Sequence, residues 1–428
     1  MSAPSRARRP ARLTLTVVAL AAAMATALPA VAQNIDKLKQ MKVSGTDPNI
    51  PTVAQTGKNA DQLRANLKAI KLPPGFKIDL YAVVPDARSI AVAPAANMMF
   101  VGTRKTNVWA VTNRNGGDMA TEVKQFAPSL NFRNPNAVCW TRDGFLIVVE
   151  SNHVYSFPGA EFFYDTPDVA VAEVVPQGQL IPPEEESFNH SGRTCRIGPD
   201  NKLYITLGQP FNVQPREKLA LYTKTGIGGI VRMNQDGTGR EVFATGIRNS
   251  VGMDFNPKDG SLWFTDNQTD GMGDDIPLGE INRATKAGQF FGYPYIVAKT
   301  RITEHGYDKD PIPAGAVDPQ VTTVAHAADL GMAFYTGKQF PAKYQGGFFS
   351  AQHGSWNRTK PIGARLLYTS LKPDGTADKN EVFAEGWLDD ATGTYRGRPV
   401  DVAVGKDGSL FVSDDYVGAI YRITYQAP

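Results

Sequence analysis

Asn189 and His190 stand at the head of "NHSGRTCRIGPDNKLYITLG", and Arg248 and Asn249 at the head of "RNSVGMDFNPKDGSLWFTDN". An imidazole beside a guanidinium is disfavoured as a cation, so it stays neutral and can accept a proton. Further along, "HGSWNR" carries His353 and Arg358, and "RGRPVDV" places Arg396 and Arg398 two residues apart. That spacing puts both side chains on one side of an extended chain. Guanidinium forks onto carboxylate or phosphate, so such a set favours an anionic ligand. The segment "TDNQTDGMGDDIPLGEIN", residues 265–282, is acidic and invites a hard cation that takes oxygen ligands. It is not an EF-hand loop: counted from Asp266, position three is Gln268 and position twelve is Pro277. A charged surface loop is the plain alternative there. A lone histidine is also usually only a hydrogen-bonded polar residue. What sets these residues apart is where they recur.

The elements that would position them form a repeat. "SIAVAPAANMMFVGTRKTNVWAVT", "NAVCWTRDGFLIVVESNHVYSFP", "RTCRIGPDNKLYITLG", "VGMDFNPKDGSLWFTDN" and "VDVAVGKDGSLFVSDDYVGAIYRIT" share one plan. Each is an alternating apolar strand, a tight turn, mostly with Asp-Gly or Asp-Asn, and a second alternating strand, which is a strong hairpin signal. "LGMAFYTGKQFPAKYQGGFFSAQHG" is a sixth, more divergent copy. The copies begin near Arg88, Asn134, His190, Arg248, His326 and Arg398, roughly 45 to 80 residues apart, a period that suits four-stranded blades with insertions. Six such units make an all-β, six-bladed β-propeller. A β-sandwich has no reason to repeat one strand–turn–strand unit at this period. Innermost strands of a propeller surround its axis and run the same way. The polar residues before them therefore converge at one mouth of the central channel, although they are scattered over the whole sequence.

The remaining features bound the class. Residues 1–32 hold a basic start, an apolar run and Ala30-Val31-Ala32, and read as a secretory signal peptide, which implies a periplasmic or secreted protein. No later stretch is long and apolar enough to span a membrane. Residues 33–72 read as a polar arm with one short helix over residues 60–70, and residues 73–428 as the propeller domain. The 45 basic and 42 acidic residues nearly balance, which argues against bulk nucleic-acid binding. Cys139 and Cys195, the two cysteines, sit at related positions on inner strands of adjacent blades. Inner strands that diverge from the axis would hold their Cα atoms beyond about 7 Å, so the sequence predicts two free, buried thiols.

With these motifs in order, the chain resembles the glucose/sorbosone dehydrogenase family, exported six-bladed propellers that use pyrroloquinoline quinone (PQQ) with calcium, and above all its sorbosone-dehydrogenase-like branch. The resemblance runs from "LPPGFKIDLYA" to "DDYVGAIYRITY" and is carried by "NHSGR", "GIRNS", "LWFTDN", "GEIN", "HGSWNR" and "GRPVDV". It implies His190 as general base, with Arg248 and Asn249 beside the quinone carbonyls. It implies Arg358 on the ortho-quinone side and Arg396 and Arg398 as clamps for the cofactor's carboxylates. Arg88 and Asn189, at blade starts, join the cofactor-binding set. Gly271 and Met272 lie where family members offer backbone carbonyls to calcium. The soluble glucose dehydrogenases carry a Gln two residues after the Asn; here that position is Val251, so glucose itself does not follow. The activity implied is oxidation of an aldose or sorbosone-like sugar by hydride transfer to PQQ, with a quinone, cytochrome or dye as electron acceptor. Two other readings stand beside it. A propeller lactonase would need three or four carboxylate or Asn ligands inside the channel, and a non-catalytic propeller would serve as a binding scaffold.

Overall fold

The computed structural model describes residues 39–427, and the signal peptide read over residues 1–32 lies outside them. Two compact units divide the chain, residues 1–42 and residues 43–428. The second unit is the propeller.

Its main sheets number six, each of four or five strands and each with one strand innermost. The innermost strands are Ile90–Val92, Ala137–Trp140, Cys195–Ile197, Met253–Phe255, Asp329–Phe334 and Pro399–Val404, of blades 1 to 6 in turn. Each contacts the inner strands of both neighbouring blades, and the sixth meets the first, so the ring is closed. Closure is made by exchange between the two ends of the domain. Phe76–Val83, which precedes blade 1, forms the outer strand of blade 6 and pairs antiparallel with Ala419–Tyr425, Phe76 opposite Tyr425.

The strands are apolar on both faces because each face meets another blade. Leu146 and Val148 point into the cluster shared with blade 1, whereas Ile147 and Val149 point into the cluster shared with blade 3. Such clusters fill all six blade interfaces. Strands buried on both faces read as near-continuous apolar runs, and "FLIVV" is one. The Asp-Gly turns perform as read: Gly408 sits at φ 83°, where a side chain would be strained, and Asp407 Oδ1 accepts the Ser409 N–H at 3.0 Å.

The short helix spans Lys58–Leu67 rather than 60–70. Lys68, Ala69 and Ile70 bond to the carbonyls three residues back, a tighter turn that ends it early. Ala60 and Leu63 are nevertheless buried between blades 5 and 6, with Leu67 and Ile70 against the same cluster.

The cysteines correct the sequence reading. Cys139 and Cys195 form a disulfide, with Cα atoms 5.9 Å apart. Inner strands are where neighbouring blades come closest, and both residues face the single apolar cluster between blades 2 and 3. The separation falls inside the range of about 4.4–6.8 Å that a bridge requires.

Candidate active site

In every blade a hairpin joins the inner strand to the second strand. The segment before the first and the segment after the second therefore open on the same mouth. Three blade starts are held there in the left-handed region: Asn134 at φ 55°, His190 at 51° and His326 at 62°. For residues with a Cβ this costs roughly 1–3 kcal/mol, so the surrounding contacts must impose it. At other blade starts, buried carboxylates at second-strand ends hold the backbone. Asp266 accepts the backbone N–H groups of Arg248 at 3.0 Å and Asn249 at 2.7 Å. Asp414 accepts that of Arg398 at 2.9 Å, and Glu150 that of Arg133 at 2.6 Å. Burial pushes the Asp266 and Asp414 carboxyls up to about 6, while these bonds pull the other way.

At the mouth lies a pocket of about 240 Å³ whose wall includes Arg88, Arg104, His190, Arg248, Asn249 and His353. His190 Nδ1 is 2.6 Å from the Gln209 carbonyl oxygen. A carbonyl can only accept, so Nδ1 carries the proton and Nε2 keeps its lone pair. Burial, and after it the Arg248 charge, lower this imidazole to about 4, so it is neutral near pH 7. Gly208 packs directly against it: a Cβ there would lie 2.6 Å from the His190 carbonyl oxygen and 2.5 Å from Asn249 Oδ1.

The arginines of the wall are largely committed. Arg248 is buried and donates to the carbonyls of Asn212 at 2.8 Å and Asn267 at 3.1 Å, and to Asp270 Oδ2 at 3.2 Å. Asp270 also accepts from Asn357 at 2.5 Å and lies 3.9 Å from His326, so it ties the loop of blade 4 to blade 5. Across the mouth, Arg88 pairs with Asp415 at 2.6 Å, and His353 Nε2 meets the other oxygen of Asp415 at 2.7 Å. Burial would raise Asp415, but Arg88 and His353 together hold it well below the usual carboxylate range. Burial also lowers His353, against the pull of Asp415. Arg104 is exposed at the rim; its backbone N–H donates to Asp86 Oδ2 at 2.7 Å, and its guanidinium lies over the Phe188 ring at 5.4 Å.

Of the ten residues given a site role in the sequence reading, Arg88, His190, Arg248 and Asn249 share this wall, as do the blade-start His326 and His353 of "HGSWNR". The other six lie off it. Asn189 is exposed, its N–H bonded to Ser187 Oγ. Arg358 donates to the Asp274 and Ala325 carbonyls and to Asp275. Arg396 pairs with Asp389 at 2.5 Å. Arg398 donates to the carbonyls of His353 and Gly354, and so supports the wall from behind. Gly271 is exposed, and Met272 packs on the apolar cluster of Val213, Tyr293 and Tyr307.

Arg104, Asp270, Asp415 and Trp356 were not singled out by sequence reasoning. Trp356 lines the pocket while 77% exposed. All four follow a second strand, and the hairpin rule would have pointed to them. Among the described residues, no group of three His, Cys, Asp or Glu side chains is placed to hold a metal. No described helix is long and apolar enough to cross a membrane.

Fold and pocket together define a closed six-bladed propeller with a polar, histidine-bearing site at one mouth. The glucose/sorbosone dehydrogenase family matches residues 179–422, more than half of the sequence, and the chain belongs to that family of sugar dehydrogenases. It is 30% identical over 366 residues to an uncharacterised protein of Borreliella burgdorferi, covering 83% of this chain and 91% of that one. It is 27% identical over 261 residues to the aldose sugar dehydrogenase YliI of Escherichia coli, covering 56% of this chain and 62% of that one. The PQQ domain of pyranose dehydrogenase from Coprinopsis cinerea, in its holo form, superposes with a TM-score of 0.66 at 18% identity, over 83% of this chain and 97% of that domain. At that identity the likeness is one of fold.

Proposed function

We propose that the chain oxidises an aldose or sorbosone-like sugar with PQQ and calcium held at the mouth pocket. The observation that carries this is His190: a neutral imidazole with its protonated nitrogen fixed on a backbone carbonyl and its basic nitrogen free, among three guanidiniums. The residues fit the cofactor's chemistry. Arg88, Arg104 and Arg248 suit carboxylates and quinone oxygens. Asn249 and Gln268, both on the wall, each keep a buried amide oxygen without a hydrogen-bond partner, hard donors of the kind calcium takes.

When bound, PQQ supplies the acceptor for the hydride and calcium the Lewis acid beside it. The chain's own part is positioning and proton transfer. His190 Nε2 takes the proton of the sugar hydroxyl whose carbon gives up the hydride, leaving a carbonyl. Arg248, fixed by Asp270 and the Asn212 carbonyl, places positive charge on the same wall. Asp415 keeps His353 and Arg88 in place, and Arg398 acts through the His353 backbone. Electrons then pass to a quinone, cytochrome or dye, outside the cytoplasm if residues 1–32 direct export.

The lactonase reading loses support from the carboxylates themselves. Asp266 is taken up by two backbone N–H groups, and Asp329 by Gln352 and Thr323, so neither is free for a metal. The test is reconstitution of purified protein with PQQ and calcium, followed by dye reduction with a panel of aldoses and sorbosone. Sugar-dependent reduction that requires PQQ is the expected result; none with any sugar would overturn the proposal.

A further inference from the structure

Next to the mouth lies a second pocket, of about 310 Å³, that the reaction does not use. Arg133, Asn134, Ser151, Gln177, Glu186 and Phe188 line it. The two pockets share a wall. Asn134 Nδ2 donates both to Ser151 Oγ, in the second pocket, at 3.0 Å and to Ser191 Oγ, in the first, at 2.9 Å. Phe188 stands two residues before His190 and carries the Arg104 guanidinium over its ring at 5.4 Å.

The lining has a definite chemical character. Phe188 presents a flat apolar ring that is 82% exposed. Around it are donors (Arg133, Gln177), a carboxylate acceptor (Glu186) and hydroxyls that do both (Ser151, Ser187). Asn134 also keeps a buried Oδ1 without a partner. Arg133 is opposed by Glu150 and Glu186, so the pocket offers no excess positive charge to an anion. An apolar platform ringed by mixed donors and acceptors matches a pyranose ring, which has a C–H face and hydroxyls around its edge.

We infer that this pocket is a carbohydrate subsite, and that the substrate is an oligosaccharide whose reducing-end sugar lies against His190 while the next residue lies on Phe188. The substrate part of this inference rests on the dehydrogenase reading; the subsite itself does not.

The test separates the two. Methyl glycosides of maltotriose and cellotriose have no free reducing end, so they report binding without oxidation. Titrated calorimetrically into the protein, at least one should bind, and Gln177→Ala and Phe188→Ala should each weaken it about tenfold. Both side chains are at the surface, so neither change threatens folding. In the PQQ-loaded protein, kcat/KM for the matching free trisaccharide should exceed that for glucose about tenfold, and the ratio should fall towards one in either variant. Failure of both glycosides to bind, or a ratio that the variants leave unchanged, would overturn the subsite even where glucose is oxidised. Binding that depends on Gln177 and Phe188, with no sugar oxidised, would keep the subsite and overturn the dehydrogenase reading.

Discussion

Gly208→Ala would displace the proposed base without removing any reacting group. The new Cβ would lie 2.5 Å from Asn249 Oδ1, 2.6 Å from the His190 carbonyl oxygen and 2.8 Å from His190 Cβ. Ordinary contacts begin near 3.4 Å, so the His190 segment, Asn249 or both must move by several tenths of an ångström to about 1 Å. Gly208 does not occupy the left-handed region, so the effect is steric and not a matter of backbone strain. Overpacking of this kind costs about 1–3 kcal/mol, which a domain with six filled blade interfaces should survive. Catalysis is less forgiving, since a misplacement of about 1 Å can cost on the order of a hundredfold. Stopped-flow dye reduction with saturating PQQ and sugar should therefore show kcat down by about that factor, with a folded circular-dichroism spectrum. A kcat within threefold of the parent would refute the placement of His190 at the reacting centre.

The imidazole of His190 is held near 4, so the base form should persist through mildly acidic pH, and kcat/KM should fall only as pH approaches 4 rather than 6.5. The sign for stability follows: with the folded value below the unfolded one, the unfolded chain takes up the proton first, so this contribution is complete above about 6.5 and is lost as pH falls towards 4; a melting temperature that rises over that descent would contradict it. The disulfide closes a loop of 56 residues, worth about 4 kcal/mol by chain entropy, so Cys139→Ser with Cys195→Ser should melt markedly lower, and denatured, unreduced parent protein should titrate no free thiol. Arg398→Ala removes a charged donor from the His353 and Gly354 carbonyls and should lower the melting temperature of the cofactor-free protein; an unchanged temperature with weakened PQQ binding would make Arg398 a cofactor clamp instead.

The propeller was legible in the sequence because each blade repeats the same hairpin, and because strands buried on both faces, such as Phe145–Val149, must read as apolar runs. The mouth was legible in part, since His190, Arg248, Arg88 and Asn249 occupy the position before an inner strand. Arg396 and Arg398 stood at or near such a position too, and Arg358 follows a second strand, but sequence does not reveal that Asp389, the His353 carbonyl and Asp275 claim them first. Arg104 and Asp415 carry no motif of their own; they reach the site because an antiparallel hairpin delivers the end of its second strand to the same face as the start of its first. Asn and His are among the residue types most often found in the left-handed backbone, as at Asn134, His190 and His326, whereas nothing in the sequence marks the closeness of the two inner strands that join the cysteines.

The central claim is that His190 takes the substrate proton beside bound PQQ. Reduction of bound PQQ by sugar, followed by absorbance in a single turnover, tests it most directly when parent and His190→Ala are compared at saturating cofactor. Loss of a general base costs about a hundred- to ten-thousand-fold, so the variant should bind PQQ with parental affinity and be reduced slower by that factor. Reduction of His190→Ala at close to the parental rate would contradict the account.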